Sequence, residues 1–307
     1  MHNGVYQMVT IKGEIRKNEP LSRHTSFRIG GPADMLAFPA DREDLVSLVR
    51  QIRKKGIPFF VLGGGTNLLV RDGGFRGVVV SLERLDVIRI EREYRSVGGS
   101  FAIISAEAGA PLSRLHVFSL EQGLTGLEFA TGIPGSVGGA VGMNAGTSLG
   151  ETGDVIESVS LITPDGDLVS RGRQDMGFGY RTTNIPDGHI VAEAKFVLRR
   201  GDREQVRELV RELQEQRRER QPWGAPNAGS IFKNPHEASA GKLIEEAKLK
   251  GRRVGDAQVS EKHANFIVNL GHATAKDVLE LMEIVKRGVL DAHGVRLEPE
   301  IKIIGED

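Results

Sequence analysis

Leu45, Leu48, Val49 and Ile52 recur at the three- and four-residue spacing of an amphipathic helix. Asp41 stands where an N-cap belongs, and Gly56 where a left-handed stop belongs. Beyond that stop, Ile57 to Leu62 is an apolar run of strand length that leads straight into Gly63-Gly64-Gly65-Thr66-Asn67. Further strands are predicted at Val78–Leu82, Val87–Glu91 and Ile103–Ala108, and a helix from Leu112 to Gln122. Ser158–Thr163 and Asp167–Ser170 flank Asp165-Gly166, a dipeptide suited to a hairpin turn. Asp202 to Arg220 is densely charged, with Val206, Leu209, Val210 and Leu213 on one face. Ala275 to His293, behind a capping Thr274, carries Val278, Leu281, Met282 and Val285. Both stretches predict amphipathic helices. The first half reads as α/β, and the composition shift after Leu198 puts the main boundary near residue 200. No internal repeat or low-complexity stretch interrupts this order.

A chain of 307 residues accommodates two or three packed domains. Lys plus Arg and Asp plus Glu are 41 each, so no excess charge points to nucleic acid or to an anionic membrane. An anionic ligand must then be held by a few local cations and backbone donors. The chain has no cysteine, which excludes disulfides, iron–sulfur clusters, Cys-ligated zinc and thiol nucleophiles. No histidine pair has zinc-ligand spacing with a third partner, and His236-Glu237 begins no metalloprotease motif, so no metal site is expected. Met1 to Lys17 is mixed polar without a signal-type apolar run, and no stretch is long and apolar enough to span a bilayer. A cytoplasmic protein is the expectation.

Glycine changes the picture most. The 39 glycines cluster at Gly63–Gly65, Gly132–Gly146 and Gly224–Gly229. Tight turns between strands would explain them, and so would close approach of backbone to a ligand. There is no P-loop, since Gly241-Lys242 is followed by Leu243, and Gly63–Asn67 lacks the Rossmann spacing. Successive amides after a strand can nonetheless form an anion nest. The second stretch, Thr131-Gly132-Ile133-Pro134-Gly135-Ser136-Val137-Gly138-Gly139-Ala140 continuing to Asn144-Ala145-Gly146, is too glycine-rich for an ordinary element. Two such loops, each beside an apolar segment, suggest a cradle for an extended dinucleotide.

Several stretches together resemble a known family. They are His24-Thr25-Ser26-Phe27-Arg28-Ile29-Gly30-Gly31, Leu62 to Leu69, Thr131 to Gly146, Gly179-Tyr180-Arg181, Ala228-Gly229-Ser230-Ile231-Phe232-Lys233-Asn234-Pro235 and Leu297-Glu298-Pro299-Glu300. They lie in the order found in UDP-N-acetylenolpyruvoylglucosamine reductases and run from about residue 20 to 304. The resemblance implies an α+β fold: an FAD-binding fold of the vanillyl-alcohol-oxidase (PCMH) type in two subdomains, 1–82 and 83–200, and a C-terminal α+β substrate-binding domain, 201–307. It implies NADPH-dependent reduction of the enolpyruvyl ether of UDP-N-acetylglucosamine to UDP-N-acetylmuramate, through FAD.

The resemblance assigns residues as well. Gly63, Gly64, Gly65, Thr66 and Asn67 match the pyrophosphate loop. Thr131, Gly132, Pro134, Gly135, Ser136, Gly138, Gly139, Asn144 and Gly146 match the second FAD loop. Arg181 matches the group that grips the substrate carboxylate, Ser230 the proton donor to C2, and Glu300 an acid that stabilises or protonates the intermediate. Tyr180, Asn234 and Arg220 match substrate contacts, Arg220 near the UDP phosphates. By residue type alone, Arg181 reads as a surface strand arginine, Ser230 as a turn serine and Glu300 as a solvated strand charge. FAD is expected to be non-covalent, since Cys is absent and neither glycine loop contains His. His24 is expected to pack beside the N-terminal segment. No tyrosine follows Tyr180, the others being Tyr6 and Tyr94, and Val197-Leu198 runs almost directly into the Asp202 helix. The chain therefore resembles the short form without a tyrosine-bearing lid. The expected partner is a small sugar nucleotide, with no nucleic acid or membrane, and the expected state a monomer. Two rivals remain: an FAD alcohol oxidase of the same fold, and a non-catalytic flavin- or sugar-nucleotide-binding module.

Overall fold

The computed structural model describes residues 9–236 and 238–307. Tyr6, Glu237 and the start of the polar N-terminal stretch lie outside them. The chain divides into two compact units. One holds the described residues through Lys17, Met35–Gly64 and Gly77–Glu215; the other holds Asn18–Asp34, Gly65–Arg76 and Gln216–Asp307. This division differs from the three contiguous segments expected. Long-range pairing draws two N-terminal segments into the C-terminal unit.

The first unit is built on an antiparallel sheet in the order Leu168–Gly172, Ile156–Ile162, Ile190–Arg200, Gly99–Glu107, Ile88–Ser96. The Asp165-Gly166 hairpin is present: Ile162 faces Leu168, and the Gly166 amide donates to the Thr163 carbonyl at 2.9 Å. Ala102, Ile104, Ala194 and Phe196 from its central strands are fully buried. They join Leu45, Leu48 and Ile52 of helix Arg42–Lys55 and Leu112 and Leu115 of helix Leu112–Glu121 in one core. Each of the Leu, Ile and Phe side chains among them contributes about 1.5–3 kcal/mol by leaving water. The first helix starts where Asp41 caps the Asp44 amide at 2.8 Å and stops at Gly56, φ 61°.

A second sheet has the order Glu14–Pro20, Pro32–Phe38, Phe75–Ser81, Phe59–Leu62, the last two strands parallel. Phe59–Leu62 is shorter than the run that predicted it, because the strand begins only after Pro58, which has no amide to donate. Ile190–Arg200 ends two residues before helix Arg203–Arg220 begins, so no inserted segment separates them.

The second unit carries an antiparallel sheet in the order Asn227–Ser230, Phe266–Asn269, Ala257–Val259, Arg253–Val254. Helix Ala275–His293 buries Val278, Leu281, Met282 and Val285 in its core, together with Phe27, Ile29 and Leu69 from the early segments. Four hydrogen bonds fix those segments. Ser26 Oγ donates to the Asn227 carbonyl at 2.6 Å, Asn269 Nδ2 to the Phe27 carbonyl at 3.1 Å, and Asp72 accepts from the Ala275 and Lys276 amides at 2.9 and 3.1 Å. Leu68–Val70 also pairs in parallel with Lys302–Ile304. None of the described helices is long and apolar enough to cross a membrane.

Candidate active site

In the first unit Gly63 and Gly64 meet the second glycine loop. Strand Phe59–Leu62 ends at Gly63, and a side chain at Gly64 would place its Cβ 2.6 Å from Gly135 Cα. At Gly63 it would come 2.5 Å from Ser136 Oγ. Glycine at 64 is therefore required by the other loop's backbone, before any ligand is considered. Ser136 accepts from the Gly139 amide at 3.3 Å, and the Gly135 carbonyl accepts from Leu112 at 2.9 Å, which anchors the second loop to a buried helix. Among the described residues, no hydrogen bond leaves the amides of Gly63, Gly64, Gly65 or Gly135. Backbone donors left over in glycine turns suit the pyrophosphate of a dinucleotide.

The same unit presents Arg181 in an unusual way. Gly179 and Thr182 exchange backbone hydrogen bonds of 3.0 and 3.1 Å around Tyr180 and Arg181. Arg181 thus sits in a two-residue turn at φ +54°, not on the strand expected for it. A β-carbon in that region is disfavoured by roughly 1 kcal/mol, so the surroundings must impose it. They do so through residues 141–146. Thr183 Oγ1 donates to the Val141 carbonyl at 2.6 Å, Asn144 Nδ2 to the Gly179 carbonyl at 2.9 Å, and Arg181 Nη2 to the Gly146 carbonyl at 3.0 Å. The Arg181 guanidinium lies 5.1 Å from the centroid of the Tyr180 ring, which is 49% exposed. Asn144, completely buried at φ +43°, also accepts from the Gly153 amide at 2.9 Å.

The second unit gathers Ser230, Asn234 and Glu300 on adjoining backbone. Ser230 ends strand Asn227–Ser230 and pairs with Phe266; a register shift separates it from Asn227. Gly229 sits at φ +76° with open space around its Cβ position, so conformation rather than crowding requires glycine there. The Glu300 amide donates to the Ile231 carbonyl at 2.8 Å, and the Lys233 amide to the Glu298 carbonyl at 2.9 Å. The Glu300 carbonyl accepts from Asn67 Nδ2 at 3.1 Å. Asn234 Oδ1 accepts from the Ala240 amide at 3.0 Å, at the start of helix Ala240–Glu246. His24, in this unit, lies 3.0 Å from Glu19 through Nε2, and its carbonyl backs Gly65.

Sequence reasoning did not single out Asn265 and Arg217. Asn265 is buried and clamps Phe232 on both sides: Oδ1 accepts from its amide at 3.0 Å and Nδ2 donates to its carbonyl at 2.8 Å. Nothing in the local sequence distinguishes it from a loop asparagine. Arg217 is half-buried whereas Arg220 is exposed, and burial disfavours the Arg217 charge. His263 is likewise held neutral mainly by burial; its Nδ1 accepts from the Asn265 amide at 3.2 Å, and its ring meets Phe266 edge-on at 4.9 Å. No group of three or more His, Asp or Glu among the described residues could hold a metal ion.

The chain resembles known proteins along nearly its whole length. The model of the UDP-N-acetylenolpyruvoylglucosamine reductase C-terminal domain matches residues 221–304, and that of an FAD binding domain matches 33–172. The UDP-N-acetylenolpyruvoylglucosamine reductase of Syntrophus aciditrophicus is 46% identical over 97% of this chain and 94% of its own. That of Caldanaerobacter subterraneus is 47% identical over 96% and 95%. The crystal structure of the Thermus caldophilus reductase superposes with a TM-score of 0.79 at 38% identity, covering 96% of this chain and 99% of that one.

Proposed function

Because the chain belongs to the UDP-N-acetylenolpyruvoylglucosamine reductase family, we propose that it reduces UDP-N-acetylglucosamine enolpyruvate to UDP-N-acetylmuramate at the expense of NADPH. It is an FAD-dependent oxidoreductase of peptidoglycan precursor synthesis, with an α+β fold and a small-molecule substrate. The residues fit the cofactor. The amides of Gly63, Gly64 and Gly135 make no hydrogen bond among the described residues and are available to a pyrophosphate, and FAD, when bound, would supply the hydride for C3 of the enol ether. With no Cys in the chain and no His in either loop, attachment is non-covalent. NADPH and the sugar nucleotide take turns, and the enzyme works as a cytoplasmic monomer.

The chain's own residues handle the charge this creates. A hydride arriving at C3 leaves an electron pair at C2, delocalised into the adjacent carboxylate. Arg181 meets that carboxylate with a planar fork, and stabilisation that grows as charge develops accelerates the step. Ser230 delivers its hydroxyl proton to C2 and recovers one from water. Serine is a weak acid, but a carbanion is a base strong enough to take its proton. Glu300 supports the same intermediate. Tyr180, Asn234 and Arg220 position the substrate. The observation that most favours this reading is Arg181 itself: the fold accepts an unfavourable left-handed arginine and spends three hydrogen bonds holding its turn.

Ser230→Ala tests the proton-transfer assignment. Flavin binding and reduction by NADPH should be retained, while reoxidation of reduced flavin by the enolpyruvyl sugar nucleotide slows by orders of magnitude. Ser230→Cys, which keeps a donor, should retain more activity. An unchanged oxidative half-reaction in Ser230→Ala removes Ser230 from the mechanism.

A further inference from the structure

Asn144 falls within the second glycine loop, where it matches a cofactor contact, yet its side chain is turned to other work. It is completely buried, its Nδ2 donates to the Gly179 carbonyl, and its Oδ1 accepts from the Gly153 amide. Gly179 is the residue whose amide and carbonyl close the Tyr180-Arg181 turn. Asn144 also sits at φ +43°, a conformation asparagine tolerates better than other residues with a side chain. Two left-handed residues, Asn144 and Arg181, are thus joined through a single carbonyl.

We propose that Asn144 is a positioning residue that sets the Arg181 turn for the substrate carboxylate, and that residues 141–146 form the seat of that turn. The proposal rests on the reading of Arg181 as the carboxylate-holding group. Thr183 shares the task from the other end of the turn, through its 2.6 Å bond to Val141, and Gly146 takes the guanidinium directly. The C-terminal end of the second glycine loop therefore carries the substrate-side arginine. A carboxylate needs both guanidinium donors in plane, so a tilt of the turn weakens the grip without emptying the flavin site.

The test uses the full-length flavoenzyme. Asn144→Asp keeps an oxygen for the Gly153 amide but replaces the donor to Gly179 with a second acceptor. The rate of reduction by NADPH, taken per bound flavin, should fall less than the rate of reoxidation. Reoxidation by the enolpyruvyl sugar nucleotide should slow by about tenfold or more, on the scale of one lost hydrogen bond plus a repulsion. Thr183→Val removes one bond with little change of shape and should slow the same half-reaction by about threefold, which decides the matter if Asn144→Asp fails to fold. In an Arg181→Lys background, adding Asn144→Asp should cost less than about twofold, because two residues acting on one interaction are not additive. The proposal is overturned if reoxidation is unchanged in both single variants, if both half-reactions fall together with flavin content, or if the double variant shows the full product of the single effects. Normal turnover by Arg181→Lys is a different result, and it removes the underlying reading and the proposal together.

Discussion

Gly64→Ala puts the glycine-loop geometry to a physical test. The added Cβ would lie 2.6 Å from Gly135 Cα and 3.3 Å from the Ser136 amide nitrogen. Ordinary carbon contacts begin near ~3.5 Å, so the loops must part by nearly an ångström. The second loop cannot retreat freely, since Gly135 is bonded to Leu112 and Val137 to Ala110. Overpacking of this kind costs about 1–3 kcal/mol. At about 2–4 °C per kcal/mol for a unit of this size, the flavin-free protein should melt several degrees lower. Gly139→Ala is the matched control: its Cβ would find only Ser136 Oγ, at 3.5 Å, and helix Val137–Gly142 accommodates alanine. Differential scanning fluorimetry of flavin-stripped and flavin-loaded protein, with a flavin titration, separates the two effects. Gly64→Ala should lose stability even without flavin. Gly139→Ala should hold its flavin-free melting temperature, so any loss of flavin affinity there reports ligand approach. An unchanged flavin-free melting temperature for Gly64→Ala would refute the claim that protein backbone dictates this glycine.

Other outcomes follow from the same structure. Arg181→Lys keeps the charge but not the fork, and should lose about 10²-fold in kcat/KM, read by steady-state NADPH oxidation; near-normal turnover would make this arginine structural. Glu193 is buried between Arg42 at 2.9 Å and Arg89 at 3.3 Å; Glu193→Ala leaves those cations without it and should cost about 1–3 kcal/mol in urea unfolding, since both arginines retain some solvent. His116 is buried with no partner for Nε2 among the described residues, and burial lowers its pKa, as it does for His263. The unfolded chain therefore takes up protons that the folded one resists, so stability is full above the ordinary histidine pKa of about 6.5 and falls as pH drops below it. His116→Leu should flatten that slope between about pH 7 and 5, measured by thermal melts. Acid precipitation should release all the flavin into the supernatant; flavin in the pellet would show a covalent bond.

Local chemistry made part of this fold legible in the sequence. Asp41, Gly56 and Thr274 bound their helices because caps act on the nearest amides and carbonyls. The Asp165-Gly166 turn is equally local. Strand Asn227–Ser230 was not legible, because it holds Asn, Ala, Gly and Ser, with no alternation to read. Nor was the place of residues 18–34 in that unit, which depends on contacts such as Ser26 with Asn227, 201 positions away. Motif resemblance singled out Arg181, Ser230 and Glu300, but not how they are held. By residue type alone Arg181 reads as a strand arginine, whereas it sits in a two-residue turn. Its turn is imposed by Asn144, 35 positions before Gly179, and no local pattern encodes that.

The most direct measurement is the oxidative half-reaction of the unaltered enzyme. The flavin is first reduced anaerobically with one equivalent of NADPH. The reduced enzyme is then mixed with UDP-N-acetylglucosamine enolpyruvate in deuterium oxide. The oxidised flavin absorbance should return rapidly, and the lactyl ether formed should carry solvent deuterium at C2. Reduced flavin that persists in the presence of this substrate, or reoxidises only when oxygen is admitted, would contradict the account.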